Sequence, residues 1–313
     1  MYELTGKKVW VAGHSGMVGN ALTRRLRHEE CELLLSSREE LDLVSEQQTE
    51  DWIGANRPDA IILAAAKVGG IGANIQAPVQ YLRENLMIQN NIMSSAANHK
   101  VERLLFIASA CIYPVKASQP IKETEVMTGP LEKSLEGYAL AKITGLKLCQ
   151  AYRRQNGLDW ISVVPPNLYG PGDNYDKESS HVLASLLRRL HEARVNNSSH
   201  AVVWGTGTVS REFLHCEDLA DALVFILKNY SDDSHINVGS GREVTIKELA
   251  QIIADVVGYE GELYFDSSKP DGAPRKLLCS ERLQTLGWQN VRPLEDGIRH
   301  AYGCWQGDKC LGG

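Results

Sequence analysis

Short runs of consecutive apolar residues alternate, along the first half of the chain, with longer segments whose apolar residues recur at helical spacing. Such runs, rich in β-branched and aromatic residues, predict buried strands. The predicted strands cover residues 8–12, 32–36, 60–64 and 104–108. The predicted helices among them include 17–28, 79–98 and 138–155. Apolar strands that alternate with helices predict an α/β fold with a doubly wound parallel sheet, covered by helices on both faces.

The pattern becomes less regular beyond residue 170, where Pro171 and Gly172 indicate a loop. The later predicted elements are helices at 181–193 and 245–257 and strands at 201–204 and 236–238. We expect two domains. The larger covers residues 1–170 with a return segment at 212–238, and the smaller α/β domain covers residues 171–313.

Composition excludes several classes of protein. The chain of 313 residues has a net charge of −6, whereas non-specific binding of nucleic acid needs a basic surface. No apolar run approaches the roughly 20 residues of a membrane-spanning helix, and the N-terminus lacks the layout of a secretory signal. The seven cysteines include no CxxC pair, which argues against a zinc site or a disulfide framework. We expect a cytoplasmic protein with no metal, no nucleic-acid partner and no membrane association.

A glycine-rich segment follows the first predicted strand and opens the first predicted helix. Its residues are Gly13, His14, Ser15, Gly16, Met17, Val18 and Gly19. Glycine permits a tight turn and a close approach of backbone N–H groups to a pyrophosphate, which the positive end of the helix also favours. This context predicts a dinucleotide site of the Rossmann type. A glycine turn that only packs the helix against the strand is the alternative.

The residues after the second predicted strand indicate which dinucleotide is bound. An acidic residue there binds the ribose hydroxyls of NAD, whereas an arginine binds the extra phosphate of NADP. This chain has Arg38 at that place, and Glu39 and Glu40 after it fit the start of the next helix. Arg38 therefore predicts NADP(H) as the cofactor.

Ser109, Tyr138 and Lys142 form a second candidate set. Tyr138 and Lys142 are four residues apart on a predicted helix and share a face, and Ser109 follows a strand at the edge where open α/β sheets bind ligands. A nearby ammonium lowers the pKa of a tyrosine from its ordinary value of about 10. The phenol can then give its proton to a carbonyl oxygen as hydride reaches the carbon. The set predicts a nicotinamide-dependent oxidoreductase.

Ordered motifs continue along nearly the whole chain, at residues 13–19, 64–71, 109–114, 138–142, 167–171, 180–182, 203–205, 211–215, 269–272 and 274–276. This ordered set resembles the extended short-chain dehydrogenase/reductases, and among them the enzymes that act on GDP-keto-deoxy sugars. The resemblance implies a substrate, GDP-4-keto-6-deoxy-D-mannose. It is epimerised at carbons 3 and 5 and then reduced at carbon 4 by NADPH, which gives GDP-L-fucose.

The resemblance gives Cys111 the role of base and His181 the role of acid in the two epimerisations. The ketone at carbon 4 acidifies the protons on both flanking carbons, and each inversion needs a base on one face and an acid on the other. A thiol, with an ordinary pKa of about 8.5, becomes a competent base once its thiolate is stabilised. A histidine can donate a proton near neutral pH. Without the resemblance, Cys111 is interpreted as a small core residue and His181 as a residue that caps or packs a helix.

The resemblance also implies residues that bind the cofactor and the substrate. For NADP(H) they are, besides the glycine loop and Arg38, Ile107, Ala108, Ser109, Ala110, Lys142, Pro165, Pro166, Asn167, Leu168 and His181. For the GDP part of the substrate they are Arg189, Trp204, Arg211, Asp271 and Lys276. Arginine fits a diphosphate bidentately, and Trp204 can pack against the guanine or its ribose. The alternative is a buried tryptophan with solvated arginines.

Three positions depart from the family pattern. Ser15 stands where relatives often carry a basic residue that can help hold the extra phosphate, so Arg38 must carry more of that recognition. Ala110 and Pro166 replace small hydroxyl residues that are common there. These changes affect the details of cofactor contact more than the chemistry.

A homodimer is also implied by the resemblance, because relatives pair helices 79–98 and 138–155 between subunits. The apolar positions Leu86, Ile92, Ala139, Leu146 and Cys149 recur at helical spacing on these segments. Core packing within one subunit explains the same stripe.

Three other functions compete with this interpretation. An enzyme acting on a GDP-keto-dideoxy sugar or a GDP-keto-heptose would epimerise once, or at other carbons, before the same reduction. An NAD-dependent sugar-nucleotide 4-epimerase would return the hydride, and Arg38 with the Cys111/His181 pair speaks against it. A redox-sensing binding protein would not need Ser109, Tyr138 and Lys142, since sensing requires no proton relay.

Overall fold

The structure is a computed structural model that describes residues 1–269, 271–289 and 291–307. Pro270, in the 269–272 motif, lies outside the described residues. The described strands are β1 (Lys8–Ala12), β2 (Glu32–Leu34), β3 (Ala60–Leu63), β4 (Arg103–Ile107), β5 (Asp159–Val164), β6 (Asn167–Tyr169), β7 (His200–Trp204), β8 (Ser210–His215), β9 (Ile236–Asn237), β10 (Glu243–Thr245), β11 (Glu262–Asp266) and β12 (Arg275–Lys276). The described helices are α1 (Met17–Leu26), α2 (Glu46–Asn56), α3 (Ile71–Gln76), α4 (Pro78–Asn98), α5 (Glu136–Asn156), α6 (Val182–Val195), α7 (Cys216–Asn229), α8 (Ile246–Val257), α9 (Glu281–Thr285) and α10 (Leu294–Gln306).

Six parallel strands form the main sheet, in the order β2-β1-β3-β4-β5-β9. The four strands predicted in the first half of the chain are β1 to β4, and the predicted helices among them are α1, α4 and α5. Every predicted end lies within two residues of the observed one. The prediction of an α/β fold with a doubly wound parallel sheet is therefore confirmed.

The side chains of each central strand alternate between the two faces of the main sheet. In β1, Val9 and Val11 join a buried cluster with α1 and α7, whereas Trp10 joins a second cluster with α2, α4 and α5. Both faces of these strands are thus apolar. This explains why each strand is an uninterrupted run of apolar residues in the sequence.

The predicted return segment 212–238 is shared between two sheets. Its last strand, β9, is an edge strand of the main sheet, and its helix α7 packs against α1. Its first residues belong instead to β8, which pairs with β6, β10 and β12 in a separate sheet. Leu283 and Trp288 also join the α1 and α7 cluster. The division into two domains at residue 170 stays a prediction.

A third buried cluster surrounds α6, α8 and α10. Strands β7 and β11 pair beside it as a two-stranded parallel sheet. In β7, Ala201 and Val203 are buried, whereas Val202 and Trp204 are exposed. The period of two along this strand therefore leaves a solvent-facing side on which Trp204 lies.

Helices α4 and α5 pack against each other within the chain. Of the apolar stripe predicted for them, Ile92, Ala139, Leu146 and Cys149 belong to the α2, α4 and α5 cluster, and Leu86 is partly exposed. Core packing therefore explains most of the stripe without a second subunit. Neither these two helices nor any other helix in the described part of the chain is long and apolar enough to span a membrane.

The carboxyl ends of parallel strands lie along one edge of the main sheet, where open α/β sheets bind their ligands. The glycine loop follows β1, Ser109 closely follows β4, and Pro165 follows β5. The fold therefore brings together, at this edge, segments that are far apart in sequence.

Candidate active site

The glycine loop turns sharply between β1 and α1. Gly13 has φ +89°, and a Cβ atom there would lie 2.7 Å from the Cα of Ala65; at Gly19 a Cβ would lie 2.1 Å from the carbonyl oxygen of Gly13. Close packing therefore requires glycine at both positions. This agrees with the alternative in which the turn only packs the helix against the strand. Gly16 differs, because it is the N-cap of α1 and has no capping side chain. The first N–H groups of α1 are thus available to an anionic ligand.

The segment after β2 is a turn, not the start of a helix that Glu39 and Glu40 suggested. The backbone N–H of Ser37 donates to the Glu40 carboxylate (2.8 Å), and the backbone N–H of Glu40 donates to Ser37 Oγ (3.2 Å). Helix α2 begins only at Glu46. Arg38 lies in this turn and is exposed, and it forms no hydrogen bond or ion pair with the described residues. Its role in phosphate binding stays a prediction.

His14 lies near the same turn. The pKa of Glu40 is lowered mainly by its hydrogen bonds with Ser37 and to a smaller extent by the charge of His14. The Nδ1 atom of His14 is buried and has no hydrogen-bond partner among the described residues, while Ser15 is exposed. An unsatisfied buried nitrogen is costly, so His14 is suited to bind a polar group that arrives with a ligand.

Ser109 begins a short 3₁₀ turn at residues 110–112, directly after β4. Its Oγ accepts a hydrogen bond from the backbone N–H of Cys111 (3.5 Å). The Ser109 side chain also lowers the pKa of the Cys111 thiol and of the Tyr138 phenol. Ser109 therefore lies between the sulfur and the phenol and influences both.

Tyr138 and Lys142 lie one turn apart on α5, as predicted, and Lys142 is only 4% exposed. The Nζ atom of Lys142 donates to the carbonyl oxygen of Ile107 (2.9 Å) and lies 5.8 Å from the centre of the Tyr138 ring. Burial lowers the pKa of Lys142 to about 8. We call Ser109, Cys111, Tyr138 and Lys142 the Ser109 centre.

The expectation that Lys142 lowers the pKa of Tyr138 is wrong for this structure. Burial raises that pKa above its ordinary value, and the charge of Cys111 acts in the same direction. The ammonium is directed to the Ile107 carbonyl instead. Tyr138 is therefore a protonated phenol at neutral pH, which is the state that a proton donor needs.

Cys111 is 5% exposed and packs in the α2, α4 and α5 cluster. Burial raises the pKa of its thiol, whereas the hydrogen bond with Ser109 and the charges of Lys276 and Lys142 lower it. The expectation of a thiolate stabilised by the site is therefore only partly met, because desolvation is the largest effect. The sulfur nevertheless has a polar side, which a purely structural core cysteine lacks.

His181 is the N-cap residue of α6, but its side chain makes no capping hydrogen bond. The interpretation of His181 as a helix-capping side chain is therefore wrong. His181 is exposed in the free protein, and desolvation by the surrounding protein lowers the pKa of its imidazole. A negative charge beside the ring would raise this pKa and favour the protonated form that an acid needs.

Residues 165–168 follow β5 and lie beside the turn that carries Ser109. The backbone N–H of Ala110 donates to the carbonyl oxygen of Pro165 (3.0 Å), and the Asn167 side chain donates to the carbonyl oxygen of Glu212 (3.2 Å). The two predicted cofactor segments, 107–110 and 165–168, are thus in contact at the ligand-binding edge of the sheet.

Trp204 is 51% exposed, so the interpretation of a buried tryptophan is wrong. The guanidinium carbon of Arg189 lies 4.5 Å from the centre of the indole ring, and Nζ of Lys269 lies 5.4 Å from it. Arg189 also donates to the carbonyl oxygen of Val202 (3.3 Å). Two cations on an exposed indole suit an aromatic, anionic ligand. We call Trp204, Arg189 and Lys269 the Trp204 face.

Arg211 and Lys276 are partners in the parallel pair of β8 and β12. Arg211 donates to the carbonyl oxygens of Ser210 (2.7 Å) and Asp271 (3.0 Å). Burial lowers the pKa of both cations, while the charge of Glu132 raises both. Two cations and one carboxylate therefore form a cluster, and Lys276 also lies within electrostatic reach of Cys111.

The carboxylate of Asp271 is engaged within the protein. Its Oδ1 and Oδ2 accept hydrogen bonds from the backbone N–H and the hydroxyl of Thr206 (2.8 and 2.9 Å). These bonds hold the turn that follows Trp204. Asp271 therefore supports the Trp204 face, and a direct contact with substrate stays a prediction.

His215, Glu217 and His300 form a separate polar cluster whose potential ligand atoms lie within 4.8 Å of one another. Arg24 and Arg292 form salt bridges with the Glu217 carboxylate at 3.3 and 3.0 Å. Burial, Arg292 and His300 lower the pKa of His215 to about 3. The Glu217 carboxylate, which a metal would need as a ligand, is already paired with two arginines. The hydrogen bonds of the cluster instead join the start of α7 to α10.

Sequence motifs brought out the residues of the Ser109 centre but missed two charged residues elsewhere, Lys269 beside Trp204 and Glu132 beside Arg211 and Lys276. Lys269 lies in a matched motif, but nothing in the pattern placed it over Trp204. Glu132 lies in an ordinary polar segment, and it meets Arg211 and Lys276 only through pairing of distant strands. No local signal could have found it.

Comparisons with known proteins agree with this geometry. Residues 9–239 match the family model described as the NAD dependent epimerase/dehydratase family. The chain is 51% identical over 302 residues to a GDP-L-fucose synthase of Sinorhizobium fredii, with 96% of each chain covered. A solved GDP-6-OMe-4-keto-L-xylo-heptose reductase from C. jejuni superposes with a TM-score of 0.90 at 32% identity, covering 96% of this chain and 98% of that one. A GDP-L-fucose synthetase from Naegleria fowleri bound to NADP superposes with a TM-score of 0.89 at 27% identity, covering 97% and 96%.

Proposed function

The chain belongs to the NAD dependent epimerase/dehydratase family, and we propose that it converts GDP-4-keto-6-deoxy-D-mannose to GDP-L-fucose. The substrate is epimerised at carbons 3 and 5 and is then reduced at carbon 4. The reaction makes the protein a bifunctional epimerase and NADPH-dependent oxidoreductase.

One observation carries this proposal: Ser109, whose Oγ accepts a hydrogen bond from the Cys111 backbone N–H, is close enough to the Cys111 thiol and the Tyr138 phenol to lower the pKa of both. A carbonyl oxygen bound by Ser109 and Tyr138 has its carbon atom, and the carbons on either side of it, close to the Cys111 sulfur. Proton removal beside the carbonyl and protonation of its oxygen can therefore occur in one site without movement of the sugar between sites.

The two chemical stages use different protonation states of the Ser109 centre. The thiolate of Cys111 removes the protons at carbons 3 and 5, and the protonated phenol of Tyr138 gives its proton to the carbon 4 oxygen. Burial favours the protonated form of Tyr138, which suits reduction. His181 supplies the proton on the opposite face, and a diphosphate beside it would raise its lowered pKa.

The residues present fit a bound NADP(H). The uncapped N-terminus of α1 offers backbone N–H groups to a pyrophosphate, and Arg38 and the buried, unsatisfied Nδ1 of His14 are available for polar groups of the adenosine part. When bound, NADPH would supply the hydride for carbon 4. Residues 107–110 and 165–168, which contact each other at the ligand-binding edge of the sheet, would hold its nicotinamide end.

The Trp204 face would hold the guanosine diphosphate part of the substrate. Its exposed indole can stack on a purine or ribose, and Arg189 and Lys269 bring positive charge to the diphosphate. Arg211 and Lys276 extend the positive charge from this face toward Cys111.

A cytoplasmic homodimer is part of the proposal. The dimer rests on the family resemblance together with the exposed apolar side chains of Val79 on α4 and Leu140 on α5.

The test is incubation with GDP-4-keto-6-deoxy-D-mannose and NADPH in deuterated water, followed by NMR of the product. We expect deuterium at both carbon 3 and carbon 5, consumption of one NADPH per sugar, and GDP-L-fucose as product. Label at a single carbon, or reduction without label, would instead assign the chain to the GDP-heptose or dideoxy-sugar enzymes, to which the C. jejuni reductase is also similar in structure.

A further inference from the structure

His181 and the Ser109 centre stand on different segments of the chain, although the proposed epimerisations need them on opposite faces of one sugar. Tyr138 and Lys142 lie on α5, whereas His181 directly precedes α6, at the end of the loop that follows β6. The side chain of His181 makes no capping hydrogen bond that would hold it in place. Its position therefore depends on the backbone segment that carries it.

The loop before His181 is held in a compact turn by its own polar side chains. Asp176 Oδ1 accepts hydrogen bonds from the backbone N–H and the hydroxyl of Ser179 (3.0 and 2.9 Å). Ser179 Oγ in turn accepts one from the side-chain amide of Asn174 (2.8 Å). Residues 174–180 therefore form one compact unit, and a displacement of its last residues also displaces His181.

Gly70 contacts the end of this loop. Its backbone N–H donates to the carbonyl oxygen of Ser179 (3.0 Å). A Cβ atom on Gly70 would lie 2.7 Å from the carbonyl oxygen of Ser180, which is closer than side chains approach an oxygen. Gly70 has φ −64° and ψ 177°, a conformation that any residue adopts. Glycine is therefore needed here for close approach, because a side chain would push Ser180 and His181 away.

The turn at residues 67–70, which we call the Gly70 turn, is fixed by two asparagines. Asn74 Nδ2 donates to the carbonyl oxygens of the last two residues of the turn (2.9 and 3.0 Å). The Asn85 side chain accepts a hydrogen bond from the backbone N–H of Lys67 (2.9 Å) and donates one to its carbonyl oxygen (3.0 Å). Both asparagines are buried, so the loss of either side chain would leave buried backbone groups unsatisfied. The Gly70 turn is therefore a firm support for the loop that it contacts.

The Gly70 turn is also joined to α5, which carries part of the Ser109 centre. Asn85 lies on α4. One turn further along α4, Gln89 donates to the carbonyl oxygen of Ala141 on α5 (2.7 Å). Ala141 immediately precedes Lys142. A connected set of hydrogen bonds therefore runs from the catalytic segment of α5, through α4 and the Gly70 turn, to the loop that carries His181.

We propose that Gly70 is a positioning residue that holds His181 opposite the Ser109 centre, so that removal of a proton ends in inversion. This inference rests on the proposed function. In that reaction the carbon–hydrogen bond beside the carbonyl breaks, the proton passes to the Cys111 sulfur, and the electron pair moves into the enolate. The enolate carbon then takes a proton from one of two sources. The Cys111 thiol returns it with the original configuration, whereas the His181 imidazolium gives it on the opposite face and becomes neutral.

The test compares Gly70→Ala with Gly72→Ala. Gly72 lies beside the same loop, but a Cβ atom there would be 3.7 Å from the carbonyl oxygen of Glu178, which is an ordinary contact. Each variant is incubated with NADPH in deuterated water and with one of two GDP-4-keto-6-deoxy sugars. The first is the D-mannose form, which needs both inversions. The second is already inverted at carbons 3 and 5 and needs reduction alone.

We expect Gly70→Ala to slow labelled inversion by about tenfold or more, because the acid is displaced from the carbon that it must reach. Reduction of the inverted sugar, its KM and the affinity for NADPH should stay near those of the wild type. Gly72→Ala should match the wild type in every measurement.

Asn74→Ala tests the same support without adding bulk. It removes both hydrogen bonds to the Gly70 turn, so it should slow inversion in the same direction by a smaller factor. A measurement without substrate accompanies the kinetics. The imidazole NMR signal of His181, identified by its loss in His181→Asn, should shift in Gly70→Ala and in Asn74→Ala but not in Gly72→Ala.

Equal rates of inversion in Gly70→Ala and Gly72→Ala would overturn the proposal. Equal losses of inversion and reduction in Gly70→Ala would also overturn it, because the Gly70 turn would then support the whole site. If Gly70→Ala does not fold, the same comparisons made on Asn74→Ala decide. Absence of labelled inversion in the wild type would contradict the proposed function instead, and the His181 signal would still show whether Gly70 positions that residue.

Discussion

The Ser109 centre combines two buried side chains, Cys111 and Lys142, with two partly buried ones, whereas the Trp204 face combines two exposed side chains, Trp204 and Lys269, with a partly buried Arg189. Cys111 and Lys142 are 5% and 4% exposed, but Trp204 is 51% exposed. Burial changes the acidity of each group in the centre, raising the pKa of the thiol and the phenol and lowering that of the ammonium. In the face, burial also lowers the pKa of Arg189, but the indole of Trp204 stays half exposed. Under the proposed function, the chemical step would depend on groups that are desolvated before the substrate binds, and recognition would depend on a surface that stays open to solvent until then.

The two regions also differ in the elements that fix them. The Ser109 centre stands on the end of β4 and on α5, which belong to the main sheet and its helical cover. The Trp204 face stands on β7 and α6, with a separate buried cluster beneath them. Substitutions in the centre should therefore change rate constants, and substitutions in the face should change affinity.

The largest effect is expected from Cys111→Ser. A hydroxyl is a far weaker base than a thiolate, so we expect deuterium uptake at carbons 3 and 5 to fall by about a hundredfold to ten-thousandfold. NADPH affinity should not change, because the sulfur acts on the sugar. Uptake is measured by NMR in deuterated water, and NADPH binding by fluorescence.

The control for Cys111→Ser is a ketone substrate that needs no epimerisation before its reduction. The variant should still reduce it, since Tyr138 and Lys142 are intact. If the variant makes GDP-L-fucose at the wild-type rate, Cys111 is not the base. The proposed division between catalysis in the Ser109 centre and affinity in the Trp204 face would then be wrong for Cys111.

A somewhat smaller effect is expected from Tyr138→Phe. The ring keeps its packing but loses the proton donor, so we expect NADPH consumption to fall by about a hundredfold or more. NADPH affinity should stay near that of the wild type. Deuterium uptake should continue more readily than reduction, because Ser109 still binds the carbonyl oxygen. Equal losses of uptake and reduction would show that the phenol organises the whole centre rather than donating a proton.

The sequence predicted the fold and the Ser109 centre well because their signals are local. Each buried strand is a run of apolar residues, and Tyr138 and Lys142 are one helical turn apart on a segment with helical spacing. The pKa directions of Tyr138 and Cys111 were predicted wrongly or incompletely for one reason. Sequence shows which charged neighbours a group has, but the degree of desolvation appears only when the surrounding core is assembled.

The Trp204 face and its neighbours were less accessible to prediction from sequence. Arg211 and Lys276 are far apart in the chain and become neighbours only because β8 pairs with β12. The engagement of Asp271 with Thr206 likewise joins residues 65 positions apart. Their assignment to substrate binding depended on the family resemblance, which identifies residues without giving their contacts.

A moderate effect is expected from Trp204→Leu, which tests the face alone. Loss of the indole removes the stacking surface and both cation contacts, so we expect KM for the GDP-sugar to rise by about tenfold. The value of kcat should change little, because Trp204 lies apart from the Ser109 centre. Steady-state kinetics over a range of GDP-sugar concentrations provide both constants. A fall in kcat without a change in KM would show that the face takes part in catalysis. It would contradict the expectation that substitutions in the face change affinity and not rate.

The smallest effect is expected from Thr245→Ala, which weakens the support of the face without touching it. Thr245 Oγ1 accepts a hydrogen bond from the backbone N–H of Glu248 (3.1 Å), and Glu248 Oε2 accepts one from the backbone N–H of Thr245 (2.8 Å). This capping box starts α8, which packs against α6. Its loss should lower the free energy of unfolding by about 1 kcal/mol, as measured by urea denaturation.

Ser45→Ala is the matched variant on the other side of the comparison. Ser45 caps α2 through a bond from the backbone N–H of Gln48 (3.4 Å), and α2 covers the main sheet beneath the Ser109 centre. If the two regions open separately, hydrogen exchange should quicken in α8 alone for Thr245→Ala and in α2 alone for Ser45→Ala. If both variants quicken exchange throughout the main sheet by equal amounts, the centre and the face unfold as one cooperative unit. Their difference would then lie in burial and chemistry only, because the stability of each would be that of the whole molecule.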